Sequence, residues 1–339
     1  MRRRSRVYRP LLATSVLATT AMLATACSQN LPESPDMGQA TPVASPAAEN
    51  PAGTVLDFAA NVTDMEVADG DILGVRSDQS LAIGTLADFE AGEQVELEVA
   101  SQCGDLTVTG DQFILACEQG VYLIDANNPN LDNLQETDKP TTVAALTTDG
   151  QLLVGNDVDE DVTVYRDGQE PVNFEVQDPG TEMIAVPVDE RHDAVVRISN
   201  GPTTIQDIDY PNDRAGATLR VGLGVAQMAA GEDGLLVVSD NRGGQIAIYN
   251  ADDIIRLQMT APVDSDPWGV AWDSQNSLAW ITTLSNNQLA GYRIAEGVPE
   301  EQHRLDTVAD AQNIVALEDG TLVVASASGD GLQIIDNPA

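Results

Sequence analysis

Apolar residues along this chain come in short runs rich in Val, Ile and Leu, broken by tight turns of Asp, Gly and Asn. No window sustains a 3.6-residue apolar period, so the runs read as strands and not as helices. The turns recur. They fall at Asp69-Gly70, Gly110-Asp111, Asp149-Gly150, a looser Asp189–Asp193, Asp233-Gly234, Asp273–Asn276 and Asp319-Gly320. Gly70 and Gly320 lie six steps and 250 positions apart, a period of about 42 residues. Strand signals alone at such a period predict radial repetition, and the chain is expected to be an all-β, seven-bladed β-propeller.

Each unit reads in the same order. Inner strands are predicted at Asp64–Ala68, Gly104–Val108, Thr142–Leu146, Glu182–Val186, Gly224–Ala229, Trp268–Trp272 and Asn313–Leu317. A β-rich second strand follows each turn, and an alternating third strand follows that. Outer strands are more polar: Val95–Val99, Val172–Val176, Ala217–Val221, Ile254–Met259 and Arg304–Val308, with a weak one near Leu134. The last unit has no outer strand before the chain stops at Ala339, while Thr54–Phe58 is a spare strand ahead of the first. The N-terminal strand is therefore expected to complete the last blade, which also removes an open sheet edge. The rival count, eight blades, needs more structure within 126–140.

One unit carries a family resemblance. The stretch Leu235–Asp253, "LLVVSDNRGGQIAIYNADD", resembles the repeat of YVTN/YncE-like seven-bladed propellers and of the seven-bladed lactonase family. Fainter versions are "GVYLIDANNP" and "TLVVASASGDGLQIIDNP". The resemblance implies a propeller over about residues 54–337. It speaks for architecture, because these residues pack sheets. Trp272-Asp273 is the one Trp-Asp dipeptide and stands in the wrong strand for a WD-type repeat.

The N-terminus reads as a targeting segment. Arg2, Arg3, Arg4, Arg6 and Arg9 precede an apolar, small-residue stretch from Leu11 to Ala26, too short for a comfortable membrane span. It ends Leu23-Ala24-Thr25-Ala26-Cys27, which resembles a bacterial lipobox, with Ala24 where that pattern prefers Leu. The resemblance implies cleavage of residues 1–26 and lipid on Cys27; an ordinary secretory signal is the rival. Residues 28–52 hold Pro32, Pro35, Pro42, Pro46 and Pro51 among small and polar residues. They are expected to form an extended tether with nothing to bury. The expected layout is a signal peptide over 1–26, lipidated Cys27 and tether over 27–52, and the propeller over 53–339, extracytoplasmic and held to the bacterial cell membrane by its lipid.

Charge narrows the partners. The formal net charge is −38, and loss of residues 1–26 leaves 11 basic against 54 acidic residues, a net −43. Nucleic acid needs a basic footprint and is excluded as a partner. A basic envelope or membrane-protein partner is favoured, although most of the acidity reads as solvated surface. With Cys27 assigned to lipid, Cys103 and Cys117 remain in an oxidising compartment. They flank a hairpin predicted with a three-residue loop, Thr109-Gly110-Asp111. In that register residue i faces residue 220 − i, so the two cysteines face each other and form a disulfide.

Candidate chemistry is sparse. In a propeller the loops from outer to next inner strand and from second to third strand share one face. By analogy with the fold, that face is the default ligand site. Asp64, Asp105 and Glu182 are expected on it, and its candidate ligand residues are Asp157, Asp159, Asp161, Asp240, Arg242, Asp266 and Trp268. The alternating carboxylates Asp157, Asp159 and Asp161 suit calcium, although Val162 stands where an EF-hand needs Gly; an acidic turn is the plainer reading. Trp268 and Trp272 fall on one side of an ideal strand, as a channel platform or as packing. His192 and His303 have no companions that would make a zinc site or a catalytic triad. No cofactor is expected beyond this calcium candidate. The function expected is a non-enzymatic, lipid-anchored interaction or scaffold module, an accessory or assembly subunit of an envelope membrane complex. The alternative is a small-ligand binder or metal-dependent enzyme of the lactonase or quinoprotein kind.

Overall fold

Seven four-stranded antiparallel sheets are present among the described residues, and in six of them the strands follow chain order. A computed structural model describes residues 36–264, 266–295 and 297–339. The targeting segment 1–26, Cys27 and tether residues 28–35 lie outside the described residues. Residues 37–339 form one compact unit.

The inner strands are Val62–Ala68, Leu106–Thr109, Val143–Leu146, Glu182–Val186, Val225–Ala230, Pro267–Asp273 and Ala311–Ala316, in blades 1 to 7. Blade 7 has only three strands from the C-terminal end of the chain. Its fourth is Thr54–Leu56, which pairs antiparallel with Leu332–Ile335 through Thr54↔Ile334, Val55↔Gln333 and Leu56↔Leu332. The closure read from the sequence is the closure observed. Blade 2 does acquire its weak outer strand, at Leu134–Glu136.

Among the described residues, seven apolar clusters lie between neighbouring blades, and an eighth gathers Ala40, Ala226, Trp268 and Leu284. Leu81 and Ile83 of blade 1 meet Phe113 and Leu115 of blade 2, and Ile114 and Val121 of blade 2 meet Leu152 and Val154 of blade 3. The series continues through Leu153 with Val195, Ile198 with Leu236, Ile248 with Ile281, Trp280 with Val324, and Val323 with Leu73. Alternation along each strand gives it one set of side chains for the blade before and one for the blade after. That explains why the middle strands read as nearly continuous apolar runs.

Three local expectations are corrected. A short helix, Leu86–Ala91, links the third and outer strands of blade 1. Thr85 and Asp88 form a reciprocal capping box there, a signal that apolar periodicity over six residues does not carry. In blade 2 the hairpin turns on Gly110-Asp111 alone, with Thr109↔Gln112 and Val108↔Phe113, one residue tighter than predicted. Gly110 takes a left-handed φ of 58°, as a two-residue turn requires. Near the open end the pairing shifts back: Gly104 N donates to Ala116 O at 2.7 Å and Ala116 N donates to Asp105 O at 3.3 Å. Cys103 and Cys117 are thereby brought opposite and are joined as a disulfide.

The third correction concerns the tether. Residues 37–52 do not hang free of the propeller but lie against it. Gly38 N donates to Leu223 O at 3.0 Å, and Ala52 N donates to Asp306 O at 2.9 Å. Ala40 is only 5% exposed. A Pro- and Ala-rich segment has little side chain to bury, but its backbone donors and acceptors are intact, and they are what the propeller uses.

Two outcomes are expected. A chain starting at Asp57 lacks the closing strand and leaves Leu332–Ile335 as an open edge, so it should aggregate or melt well below the longer chain; an unchanged melting curve would count against this closure. Replacing both Cys103 and Cys117 with Ser opens a loop of 14-residue separation, which should lower stability by about 3 kcal/mol in denaturant titration.

Candidate functional site: the acidic channel and the loop face

Each inner strand has a strand neighbour on one side only. Its other edge faces the propeller axis, and the inner strands of six blades, with Thr142 and Asp157 of blade 3, line a cavity of about 620 Å³. Charged residues line this cavity from four blades, with Asp157 of blade 3 among them. Asp64 and Glu66 come from the inner strand of blade 1, Asp105 precedes that of blade 2, and Glu182 opens that of blade 4. Arg76, on the second strand of blade 1, stands directly across the ladder from Asp64.

The carboxylates tie blades together. Asp64 Oδ2 accepts from Leu106 N at 2.8 Å, and its Oδ1 accepts from Met65 N at 2.9 Å. Asp105 Oδ2 accepts from Met183 N at 3.3 Å, and Glu182 Oε2 accepts from Met228 N at 3.0 Å. Neutral side chains do the same elsewhere: Thr107 Oγ1 donates to Ala144 O, Ser239 Oγ to Trp268 O, and Asn313 Nδ2 to Val62 O. Arg76 donates to the carbonyls of Cys103 and Gly104, so the guanidinium grips the strand end that holds the disulfide.

Burial sets the protonation of this group. It pushes Asp64 up to about 6, against the backbone hydrogen bond from Leu106 and the attraction of Arg76. It pushes Glu182 up to about 8, with repulsion from Asp64 adding to the effect. Glu66 and Asp105 are also raised well above the usual carboxylate range, first by burial and then by their acidic neighbours. The same burial lowers Arg76, while Asp64, Asp105 and Asp78 hold it up. A channel whose carboxyls are shifted toward the protonated form to different extents, Asp64 less than Glu182, offers hydrogen-bond donors and acceptors together.

The loop face was expected to gather the ligand residues, and the structure divides them. Asp157 reaches the cavity lining. Asp159 and Asp161 instead hold Lys139, with Nζ 3.4 Å from Asp159 and in closer contact with Asp161. Asn156 Oδ1 accepts from the backbone N–H of Val158 and Asp159, which makes this an Asx-type acidic turn. Among the described residues no three His, Cys, Asp or Glu side chains come together as a metal group.

Asp240, Arg242, Asp266 and Trp268 lie on blades 5 and 6, where they form or flank the seat of residues 37–52. Asp240 is 1% exposed, and its Oδ1 accepts from the N–H groups of Leu223, Gly224 and Gly243 at 3.1, 2.9 and 2.9 Å. It thereby shapes the loop whose Leu223 carbonyl receives Gly38. A methyl on Gly224 would stand 2.8 Å from Gly38 O and 2.6 Å from Arg242 Cγ, so the close crossing depends on glycine. Trp268 packs with Ala40, Ala226 and Leu284. Asp266 accepts from Ser285, beside Leu284. Farther along, Ser45 N donates to Asp310 Oδ1 at 2.8 Å, Ser45 Oγ to Leu284 O at 2.7 Å, and Asn287 Nδ2 to Pro46 O at 2.8 Å.

Trp268 and Trp272 do not share a side. The ladder shifts by one between Pro267 and Val270, so Trp268 turns to the N-terminal segment while Trp272 lines the channel. Trp280 is fully buried and donates to Asp273 Oδ2 at 3.2 Å. His192 stacks edge-on with Tyr210, and His303 lies 5.9 Å from the Trp280 ring. Sequence reasoning did not single out Glu66 or Arg76. Glu66 follows Asp64 by two positions and so shares its face, and Arg76 is its cross-strand partner once the hairpin is drawn.

Comparisons with known proteins give the fold and stop there. No family model matches the chain, and no curated protein matches it. Solved structures do. A chain of a mitotic checkpoint complex is 14% identical, with 97% of this chain and 98% of that one covered, at a TM-score of 0.67. A streptogramin B lyase is 11% identical, with 84% and 96% covered, at a TM-score of 0.63. A chain of the hydrazine synthase of Kuenenia stuttgartiensis is 12% identical, with 84% and 97% covered, at 0.58. Propellers with such different work share the architecture of this chain, which is a seven-bladed β-propeller.

The raised carboxyls predict a pH dependence. The folded chain binds more protons than the unfolded chain between the ordinary glutamate value of 4.5 and the folded value of about 8 at Glu182. Stability from this group is therefore full below that window and is lost as pH rises through it. Glu182→Gln keeps an acceptor for Met228 and removes the titration. Its stability should be flatter from about pH 5 to 8, and at pH 8 should exceed that of the parent. Parallel pH profiles for the two proteins would disprove the assignment.

Proposed function

We propose that this protein is a lipid-anchored, extracytoplasmic interaction module, with lipid on Cys27 and a propeller that docks a membrane-protein or envelope partner. The role is that of a scaffold, assembly factor or accessory subunit and is not catalytic. One observation carries the reading: the segment following the lipidation candidate is built into the propeller's loop face from Gly38 to Ala52. The free span between the anchor candidate and the rigid body is thereby shortened, as a positioning module needs it to be. Two further features support it. Asp64, Asp105, Glu182 and Arg76 in the channel are engaged as ties between blades, and the net −43 of the processed chain suits a basic partner.

The channel supports a second reading. A cavity of about 620 Å³ has room for a small molecule, as in a ligand binder or metal-dependent enzyme of the lactonase or quinoprotein kind. Calcium at Asp157, Asp159 and Asp161 would have to displace Lys139. A calcium-dependent rise in melting temperature that Asp159→Asn abolishes would favour this reading.

Cys27→Ala should move the protein from the membrane fraction to the soluble extracytoplasmic fraction with its fold intact; full retention in the membrane would overturn the anchor. Affinity purification of the tagged full chain in mild detergent should bring down a stoichiometric membrane partner. Recovery of a lone monomer in every detergent would shift the weight to the small-ligand reading.

A further inference from the structure

We infer that residues 37–52 act as a strap that turns the loop face of the propeller toward the membrane, so that this face is the one a membrane-embedded partner meets. The inference rests on the lipid-anchored reading above and adds an orientation to it.

The strap runs along a single face. Gly38 is bound at Leu223, between blades 4 and 5, and Ala40 is covered by Trp268 and Leu284 of blade 6. Ser45 is bound by Leu284 and Asp310, and the chain then enters blade 7 through Ala52. Leu223 and Asp310 lie in connections from an outer strand to the next inner strand, and Leu284 in a connection from second to third strand. All of these belong to the loop face.

Length then decides the geometry. Met37 lies ten positions after Cys27, and fully extended that span reaches about 35 Å. An inner strand of seven residues is about 23 Å long before its turns are added. To present the opposite face to the bilayer, that span would have to run back along the whole height of a blade, nearly taut, at a large loss of chain entropy. With the loop face toward the bilayer no such run is required. If the strap were free as far as Ala52, the reach would grow to about 90 Å and no face would be preferred.

The partner's chemistry follows from what this face shows. Asp157 and the fully exposed end of its turn, where Val158 is 77% exposed, project from blade 3 on the side away from the strap. Acidic loops are repelled by anionic headgroups and do not lie on them. A face held near the bilayer yet repelled by it leaves a gap, which suits the extracytoplasmic segments of a membrane protein carrying Lys or Arg.

The test uses the full lipidated chain in vesicles that contain an acceptor-labelled lipid. Donor dye is placed on Val158→Cys, on the loop face of blade 3, or on Gln169→Cys, on the opposite face of the same blade. Energy transfer from position 158 should exceed that from position 169 by about twofold or more. Ala40→Glu, which drives a charge under Trp268, should bring the two values together while the propeller keeps its melting transition. Ser45→Ala combined with Asn287→Ala is the milder variant should Ala40→Glu impair folding. Equal or reversed transfer in protein that floats with the vesicles overturns the orientation and leaves the anchor standing. Failure to float overturns the anchored reading itself.

Discussion

The free edges of the seven inner strands govern much of this molecule. A strand buried around an axis has backbone donors and acceptors on its open side, and each must find a partner or cost the fold. Other blades supply those partners with side chains: Asp64 for Leu106, Glu182 for Met228, Thr107 for Ala144 and Asn313 for Val62 between neighbours, and Asp105 of blade 2 for Met183 of blade 4 across blade 3. The ring is thus tied at its centre by polar groups and packed between its sheets by apolar ones. Using carboxylates for the ties has a chemical consequence. They sit close together with one guanidinium beside them, and burial shifts them toward the protonated form.

The loop face shows how one surface can be used twice. Asp240 organises the turn that receives Gly38, and Trp268 closes over Ala40. These residues have the look of a ligand site because they are one, for a segment of the same chain. The far side of that face is different in kind. There Lys139 is held by Asp159 and Asp161, so even the chain's lone lysine is spent on its own acidic turn.

Legibility in the sequence followed the physics of each feature. The repeat, the strand order and the closing strand were readable because every blade must hide two faces, and that demand writes apolar runs at a fixed spacing. The cysteine pair was readable from the hairpin, although the turn proved one residue tighter and a shift near Asp105 restored the match. The strap was not readable. Its hold depends on backbone groups of Gly38, Ser45, Pro46 and Ala52, which any composition supplies, and on Ala40 meeting Trp268 far along the chain. The two tryptophans were misread for a related reason: strand alternation predicts a shared side, and a single bulge cancels it. Glu66 and Arg76 were within reach, by parity and by pairing with Asp64, but a lone carboxylate on a strand gives no sign that a channel lies in front of it.

The closing strand also imposes an order in time. Thr54–Leu56 is among the first parts of the domain to be synthesised, and its partner Leu332–Ile335 is among the last. The blades between are each built from neighbouring stretches of chain and can form locally, whereas this one pairing must bring together residues 54 and 334. Contacts so distant in sequence are the slow ones in folding. Until they form, the chain is an open horseshoe with a sheet edge at its C-terminal end and a strand without a sheet at its start, ready to pair with the wrong molecule. The dense negative charge then has a use before the ring exists: two unfinished copies repel each other while each waits for its own last strand.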